Sequence, residues 1–176
     1  MAIRFEKVSE EQYLKDYIGE FGGGSNHMPS YDDFEKDVRR QWENIKLPKR
    51  ATAGSAGYDF FVPRDVYLEP GQVIKLPTGI RAIMPKMLVL LLFVRSSIGF
   101  KYQTVLTNNT GIVDSDYSEG DNEGHIWIKL RNDGDKPLEL KAGDAVVQGI
   151  FMPWLMTNDD WTGDVKRTGG IGSTGK

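Results

Sequence analysis

The 176-residue sequence contains no cysteine and only two histidines, His27 and His125. The lack of cysteine excludes disulfide bonds, thiolate zinc sites and a cysteine nucleophile. Two histidines exclude a histidine-rich metal site, and a Ser-His-Asp triad would have to use one of them. Neither histidine has sequence neighbours that suggest such a role. We therefore expect any chemistry to rest on carboxylates, hydroxyls, Arg and Lys side chains, and a divalent metal.

Long apolar runs and a basic surplus are also missing. The longest apolar run, MLVLLLFV from Met87 to Val94, is far shorter than the ~20 residues of a membrane span and has the length of a buried strand. The net charge of −3 and the pI near 5.5 disfavour binding to nucleic acid, which needs a basic surface. The first residues lack the apolar stretch of a secretory signal. We expect a cytoplasmic protein with neither nucleic acid nor membrane as a partner.

The sequence divides into three parts. Residues 1–46 carry helical patterns, with a capping box at Ser9 and Gln12 before one predicted helix and Ser30 before a second. Residues 47–165 contain short apolar runs separated by Gly, Pro, Asn and Asp, a spacing that favours an antiparallel β-sandwich or barrel. Residues 166–176 form a glycine-rich segment. We predict a mainly β domain with an N-terminal helical extension and a flexible C-terminal strap.

Two polar stretches inside the β domain are candidates for a site. Arg95, Ser96 and Ser97 directly follow the longest apolar run and offer several donors to an anion. A solvated strand end is the simpler alternative for them. Asp114 and Asp116 would face the same side of an extended stretch and could hold a hydrated metal or orient a water, although both could be ordinary turn residues.

The C-terminal strap, KRTGGIGSTGK, is the third candidate. Fixing its glycines costs backbone entropy, so it is either a frayed tail or a segment that orders around a ligand. Glycine-rich backbone can surround an anion with N–H groups, and Lys166, Arg167, Ser173 and Thr174 add further donors. Taken from residue chemistry alone, the pattern indicates a β domain with separate anion-binding elements.

In order along the chain, five of these stretches resemble the five motifs of the trimeric dUTPase family. The first two are SAGYDF at 55–60 and VRSSIG at 94–99. The remaining three are GIVDSDY at 111–117, AGDAVVQ at 142–148 and TGGIGSTG at 168–175. The resemblance covers roughly residues 47–176. It implies a β-clip or jelly-roll-like barrel that forms a homotrimer with shared active sites and hydrolyses dUTP to dUMP and pyrophosphate.

The resemblance also implies roles for the catalytic residues. Asp114 matches the aspartate that orients and deprotonates the water attacking the α-phosphorus. Asp59 matches the aspartate near the Mg²⁺-triphosphate, with Mg²⁺ held mainly by the triphosphate and Asp59 as a contact through water. Gln148 matches the glutamine beside the phosphates and the catalytic water, and Arg95, Ser96 and Ser97 match phosphate ligands.

Substrate selection follows from the same resemblance. The hairpin that carries Asn108, Gly111 and Ile112 would present its backbone and the Asn108 side chain to the uracil edge. Tyr117 would pack its ring on the deoxyribose and leave no room for a 2′-hydroxyl. In the strap, the resemblance assigns substrate contacts to these residues: Lys166, Arg167, Ile171, Gly172, Ser173 and Thr174.

The sequence departs from the family pattern at two places. Residues Glu119 to Glu123 are extra and predict a longer loop after the third motif. Ile171 replaces the aromatic residue that stacks over uracil, and an isoleucine can cover a ring but cannot stack on it. The motif arginine corresponds to Lys166 by spacing, but we favour Arg167 because a guanidinium can bind phosphate in a bidentate manner.

Two other functions compete with this interpretation. The related dCTP deaminases share the fold and an RSS segment, but Lys129 stands where their catalytic glutamate is expected. A non-catalytic nucleotide-binding regulatory protein could use the same trimeric fold. Such a protein would have no need of the water-orienting aspartate at Asp114.

Overall fold

The computed structural model describes residues 2–22 and 30–160, together with Val165, Arg167 and Gly169. Over these residues the chain forms three α-helices, twelve strands and one 3₁₀ helix. The helices are α1 (Glu10–Phe21), α2 (Tyr31–Glu43) and α3 (Ser96–Tyr102), and the 3₁₀ helix is Ser115–Glu119. The strands are β1 (Arg4–Lys7), β2 (Lys49–Arg50), β3 (Tyr58–Phe61), β4 (Val66–Leu68), β5 (Val73–Pro77), β6 (Ile80–Ile83), β7 (Leu88–Val94), β8 (Thr104–Leu106), β9 (Gly111–Val113), β10 (Trp127–Asn132), β11 (Leu138–Leu140) and β12 (Ala145–Pro153).

The strands lie in four antiparallel sheets. The largest has the order β2-β3-β12-β7-β9, and a second has the order β5-β10-β8. The pairs β1-β6 and β11-β4 form the other two. The mainly β, jelly-roll-like prediction is confirmed. The described strands do not close into one barrel, because β2 and β9 remain as edges of the largest sheet.

The apolar run forms strand β7, which lies between two other strands of the largest sheet. It pairs with β12 on one side and with β9 on the other. Leu90 and Leu92 are fully buried, as are Val146 and Val147 of β12. A strand that is apolar on both faces and paired along both edges is fixed firmly in position. The residues at its two ends are therefore held at fixed places.

The two N-terminal helices begin where the capping residues predicted. The Ser9 hydroxyl accepts from the Gln12 N–H at the start of α1, and the Ser30 hydroxyl accepts from the Asp33 N–H at the start of α2. Both helices pack on the β domain, because buried residues of each belong to the same apolar cluster as the strands. No helix in the described ranges is long and apolar enough to cross a membrane.

One strand in the N-terminal part was not predicted. Residues Arg4–Lys7 form β1 and pair with β6 in the register Phe5 to Ala82. Four residues are too few to show a clear alternation of apolar and polar side chains. The segment before α1 therefore belongs to a sheet, and the sequence pattern indicated only the two helices.

Candidate active site

Three predicted site residues, Asp59, Arg95 and Gln148, lie together on adjacent strands; we call them the Arg95 cluster. Asp59 on β3 is directly opposite Gln148 on β12. Arg95 follows the last residue of β7, and its Nε lies 3.0 Å from Asp59 Oδ1. The backbone N–H of Arg95 donates to the carbonyl of Val146 at 3.1 Å, which fixes the chain at this end of β7.

Gly57 makes room for the side chain of Gln148. A Cβ at Gly57 would lie 2.5 Å from Gln148 Oε1. No side chain can occupy that space unless the amide moves away. The glycine of the SAGYDF stretch therefore allows Gln148 to lie beside Asp59.

Ser96 and Ser97 form the first turn of α3. Both are exposed, while Ile98 behind them is buried and anchors the helix. The Arg95 carbonyl accepts from the N–H groups of Ile98 and Gly99, each at 3.0 Å. The predicted donors thus directly follow Arg95 at the surface, on a helix instead of an extended strand end.

A second group, which we call the Asp114 cluster, contains Asp114, Asp116, Tyr117 and Arg167. Arg167 Nη2 donates to Asp114 Oδ2 at 2.6 Å, and Arg167 Nε donates to Asp116 Oδ1 at 3.0 Å. The guanidinium carbon lies 5.5 Å from the centre of the Tyr117 ring. The Arg167 side chain is 11% exposed, whereas the Asp114 side chain is 53% exposed and open to water.

Tyr117 is buried at the base of this cluster. Its hydroxyl donates to the carbonyl of His125 at 3.0 Å and accepts from Asn122 Nδ2 at 3.1 Å. Burial raises the pKa of Tyr117, although the Asn122 hydrogen bond and the Arg167 charge act in the opposite direction. The phenol is therefore neutral and can hold its ring in a fixed orientation.

The turn that carries Asn108 borders a cavity of about 430 Å³. Asn108 and Gly111 line this cavity, together with Leu92, Trp127 and Lys129. Its volume lies in the usual range of small-molecule sites. Ile112 is 67% exposed on the edge strand β9. Two of the predicted base-recognition residues, Asn108 and Gly111, therefore border a space large enough for a nucleobase, whereas Ile112 does not line it.

The strands on either side of this turn do not form the hairpin that was predicted. β8 pairs with β10, and β9 pairs with β7, so the turn joins two different sheets. β9 approaches β7 closely at Gly111, where a Cβ would lie 3.0 Å from Leu92 Cβ. The glycine allows the chain to leave one sheet and enter the other.

The two clusters lie at opposite ends of β7. The register pairs Leu90 with Val113, which places Asp114 beside Val89, whereas Arg95 follows the other end of the strand. Six strand residues at ~3.3 Å each separate the two positions by roughly 20 Å. One chain therefore does not bring Asp114 next to the Arg95 cluster.

The extra residues Glu119 to Glu123 form the end of the 3₁₀ helix and the turns that follow it. This loop leads to His125, which is fully buried and lies 2.6 Å from Asp16 of α1. Sequence reasoning missed this contact, because the two residues are 109 positions apart and share no local motif.

Several predicted residues fall outside the described ranges: Lys166, Ile171, Gly172, Ser173 and Thr174. Within those ranges, no three His, Cys, Asp or Glu side chains are grouped to hold a metal ion. Asp59 is a lone carboxylate beside a cation, which fits a metal that takes most of its ligands from a phosphate chain and water.

A family model, a curated relative and a solved structure that match this chain are all dUTPases. The family model described as dUTPase matches residues 43–175. The deoxyuridine 5'-triphosphate nucleotidohydrolase of Lactococcus lactis is 41% identical over 144 residues, which cover 81% of this chain and 96% of that protein. The dUTPase of Streptococcus mutans has a similar structure with a TM-score of 0.59 and 44% identity, covering 66% of this chain and 91% of that one.

A more distant structural relative is the dUTPase of phage phi11 of S. aureus, in a point mutant whose structure is described as revealing the coordination of a structural Mg(II) ion. It has a TM-score of 0.57 and 22% identity, and the match covers 69% of this chain and 93% of that one. At this identity the likeness concerns the fold. On the strength of the family match and the two closer relatives, the chain belongs to the dUTPase family.

Proposed function

We propose that the chain is a dUTP diphosphatase, which hydrolyses dUTP to dUMP and pyrophosphate. The observation that carries the proposal is the position of Asp114, a half-exposed carboxylate directly after β9, whose first residue Gly111 lines a cavity of about 430 Å³. Such a carboxylate can receive a proton from a water at the edge of a bound nucleotide. Family membership, and the names of the relatives at 41% and 44% identity, support the same reaction.

In the proposed reaction Asp114 orients the attacking water and accepts its proton. Its contribution is mainly geometric, because the water must lie in line with the leaving pyrophosphate. The structure pairs this carboxylate with Arg167. The guanidinium donates to Oδ2 of Asp114, and a triphosphate is a strong competing acceptor that would draw it away from the carboxylate.

The Arg95 cluster is proposed to bind the phosphate chain. Arg95 neutralises the charge that develops on the leaving group, and the exposed hydroxyls of Ser96 and Ser97 donate to phosphate oxygens. Gln148 lies beside these groups and is proposed to contact the phosphates and the water. In the strap, Lys166, Arg167, Gly172, Ser173 and Thr174 are proposed to add further phosphate contacts, and Ile171 to cover the base.

Mg²⁺ is proposed as the cofactor. Asp59 is the carboxylate that would reach it, through water, while the triphosphate supplies most of its ligands. When bound, the ion neutralises phosphate charge and orients the phosphate chain. The pairing of Asp59 with Arg95 at 3.0 Å supports this role, because it holds the carboxylate beside the cation that is proposed to bind the phosphates.

Base and sugar selection are proposed to come from the Asn108 turn and Tyr117. Asn108 and the backbone at Gly111 and Ile112 would pair with the edge of uracil. Cytosine exchanges an acceptor for a donor at that edge, and a mismatch of this kind can be worth ~10⁴-fold. The buried ring of Tyr117 would pack on the deoxyribose and exclude a 2′-hydroxyl.

A homotrimer with shared active sites is proposed as the assembly. The roughly 20 Å between Asp114 and Arg95 along β7 supports a site that takes these two residues from different subunits. A symmetric assembly brings one end of β7 in one subunit near the other end in its neighbour. Phe100 and Leu155, which are 91% and 90% exposed, are apolar residues that such contacts would cover.

The cytoplasm is the proposed location, because an enzyme that removes dUTP acts where deoxynucleotides are made and used.

The function is tested by incubating the protein with dUTP, dCTP, dTTP and UTP, with and without Mg²⁺. We expect Mg²⁺-dependent pyrophosphate release from dUTP alone. Ammonia from dCTP would identify a deaminase instead, and tight dUTP binding without turnover would identify a regulatory protein.

A further inference from the structure

The position of the Tyr117 ring depends on the residues that follow it, 118–125, which we call the Tyr117 loop. The phenol hydroxyl bonds to Asn122 and His125, both in this loop. Gly124 has a φ of +73°, and a Cβ there would lie 2.5 Å from Ser118 Cα, so the loop folds tightly against the 3₁₀ helix. Any displacement of the loop therefore moves the hydroxyl partners of Tyr117.

His125 connects the Tyr117 loop to helix α1. Its Nε2 accepts from the backbone N–H of Gly79 at 2.8 Å, and its Nδ1 lies 2.6 Å from Asp16 Oδ2. A backbone N–H can only donate, so the proton of the ring is on Nδ1 and is donated to Asp16. Burial alone would raise the pKa of Asp16, but the hydrogen bonds from His125 and Gln12 outweigh it and the pKa is lowered. The Asp16 carboxylate is thus a charged acceptor for the His125 ring of the Tyr117 loop.

A second connection joins the same helix to the same loop. Glu123 accepts from the backbone N–H of Ser9 at 2.8 Å and from the Ser9 hydroxyl at 2.6 Å. Glu123 has a φ of +56°, a region that non-glycine residues rarely adopt, so its conformation needs such contacts. Ser9 also caps α1. The start of the helix and its second turn therefore each hold one residue of the loop.

Helix α1 lies outside residues 43–175, which the family model matches. The Tyr117 loop contains the residues by which the third motif is extended. We propose that α1 is a positioning element for Tyr117: Asp16 and Ser9 hold His125 and Glu123, and so set the ring against the sugar of the substrate. This inference rests on the proposed function for the role of the ring. Asp16 and Ser9 are positioning residues, since both act through the loop.

The test compares variants that loosen the loop with one that only weakens the core. Asp16→Ala removes the acceptor of His125, and Asp16→Asn restores an uncharged acceptor of similar size. Glu123→Gln places an amide N–H opposite a Ser9 donor at a partly exposed position, so it folds even where Asp16→Ala does not. Val38→Ala is the control, because Val38 of α2 is fully buried and has no part in these hydrogen bonds.

Two readouts are measured for each variant: the ratio of kcat/KM for dUTP to that for UTP, and amide deuterium exchange in residues 115–125. We expect Asp16→Ala and Glu123→Gln to reduce the ratio by about tenfold, mainly through a higher KM for dUTP, because the sugar contact is loosened. Exchange in the Tyr117 loop should rise by about tenfold or more, since its anchors are lost. Asp16→Asn should recover most of both, and Val38→Ala should change neither.

The inference is overturned if Asp16→Ala and Glu123→Gln lower only the melting temperature, with the ratio and the loop exchange as in Val38→Ala. Deuterium exchange does not require turnover. A wild-type protein that fails to hydrolyse dUTP would contradict the proposed function, but it would not by itself contradict the role of α1. The exchange data still decide whether α1 holds the loop.

Discussion

Arg167 Nη2 donates to Asp114 Oδ2 at 2.6 Å. The same guanidinium also binds Asp116, and its side chain is 11% exposed. A cation so placed neutralises the carboxylate that the proposed reaction needs as a base. The proposed mechanism therefore includes a transfer of Arg167 from carboxylate to phosphate when the nucleotide binds.

If Arg167 transfers to the phosphates, the effect of substituting it should depend on how many phosphates the nucleotide carries. Arg167→Lys retains the charge but loses the bidentate hydrogen bonding of the guanidinium, so we expect KM for dUTP to rise by about tenfold. The affinity for dUMP should hardly change, because dUMP lacks the outer phosphates. Steady-state kinetics with dUTP and inhibition by dUMP measure both. Arg131→Lys, at an exposed ion pair with Asp133, is the control, and equal losses for dUTP and dUMP would contradict the transfer.

Substitutions of Asp114 and Asp116 form a matched pair that identifies the general base of the reaction. Both carboxylates bind Arg167, but only Asp114 is proposed to accept the proton from water. We expect Asp114→Asn to lower kcat by ~10²–10⁴ with dUTP binding retained, and Asp116→Asn to lower it by less than about tenfold. Single-turnover pyrophosphate release measures the step. Similar losses in the two variants would mean that both act only through Arg167.

Gly57 offers a test of Gln148 that leaves Gln148 itself unchanged. In Gly57→Ala the new Cβ would lie 2.5 Å from Gln148 Oε1, which is the free end of a flexible side chain and moves away. We expect the protein to fold and kcat to fall by about 10- to 100-fold, because the amide is displaced from the phosphates. Gly54→Ala has open space around its Cβ and is the control. Unchanged turnover in Gly57→Ala would remove Gln148 from the mechanism.

The hydrogen bond from His125 to Asp16 predicts a contribution to acid stability. The pKa of Asp16 is lowered from its ordinary value of 3.8, so the carboxylate stabilises the folded state above that value. This contribution is lost as the pH falls through the lowered pKa. We expect wild type to melt about 2–4 °C above Asp16→Asn at pH 7, the size typical of one hydrogen bond. Melting curves should show the difference shrinking below pH 3.8, and a constant difference would contradict the assignment.

Local features of the sequence could be predicted because local chemistry determines them. Ser9 and Ser30 cap their helices through their own side chains, and the apolar run at Met87 to Val94 forms a strand whose residues Leu90 and Leu92 are fully buried. The candidate residues Asp59, Arg95 and Gln148 stand in recognisable stretches, and the structure brings them together. That grouping depends on the pairing of β3, β12 and β7, which the sequence does not display.

Other features depend on contacts between distant residues and could not be predicted. Strand β1 is too short for a pattern, and α3 has few apolar residues to mark it as a helix. Asp16 and His125 meet across 109 positions, so the role of the extra loop was not visible. The predicted hairpin at Asn108 was wrong because Gly111 allows β9 to join β7.

Subunit complementation tests whether Asp114 and Arg95 of one active site come from different subunits. Asp114→Asn and Arg95→Ala are each expected to be inactive alone. When the two variants are mixed in equal amounts, unfolded and refolded together, a site that takes the two residues from different subunits is intact in roughly a quarter of cases. We expect dUTP hydrolysis to recover to about that fraction of wild type. Activity that stays at the level of the separate variants would contradict it, since both residues would then have to come from one chain.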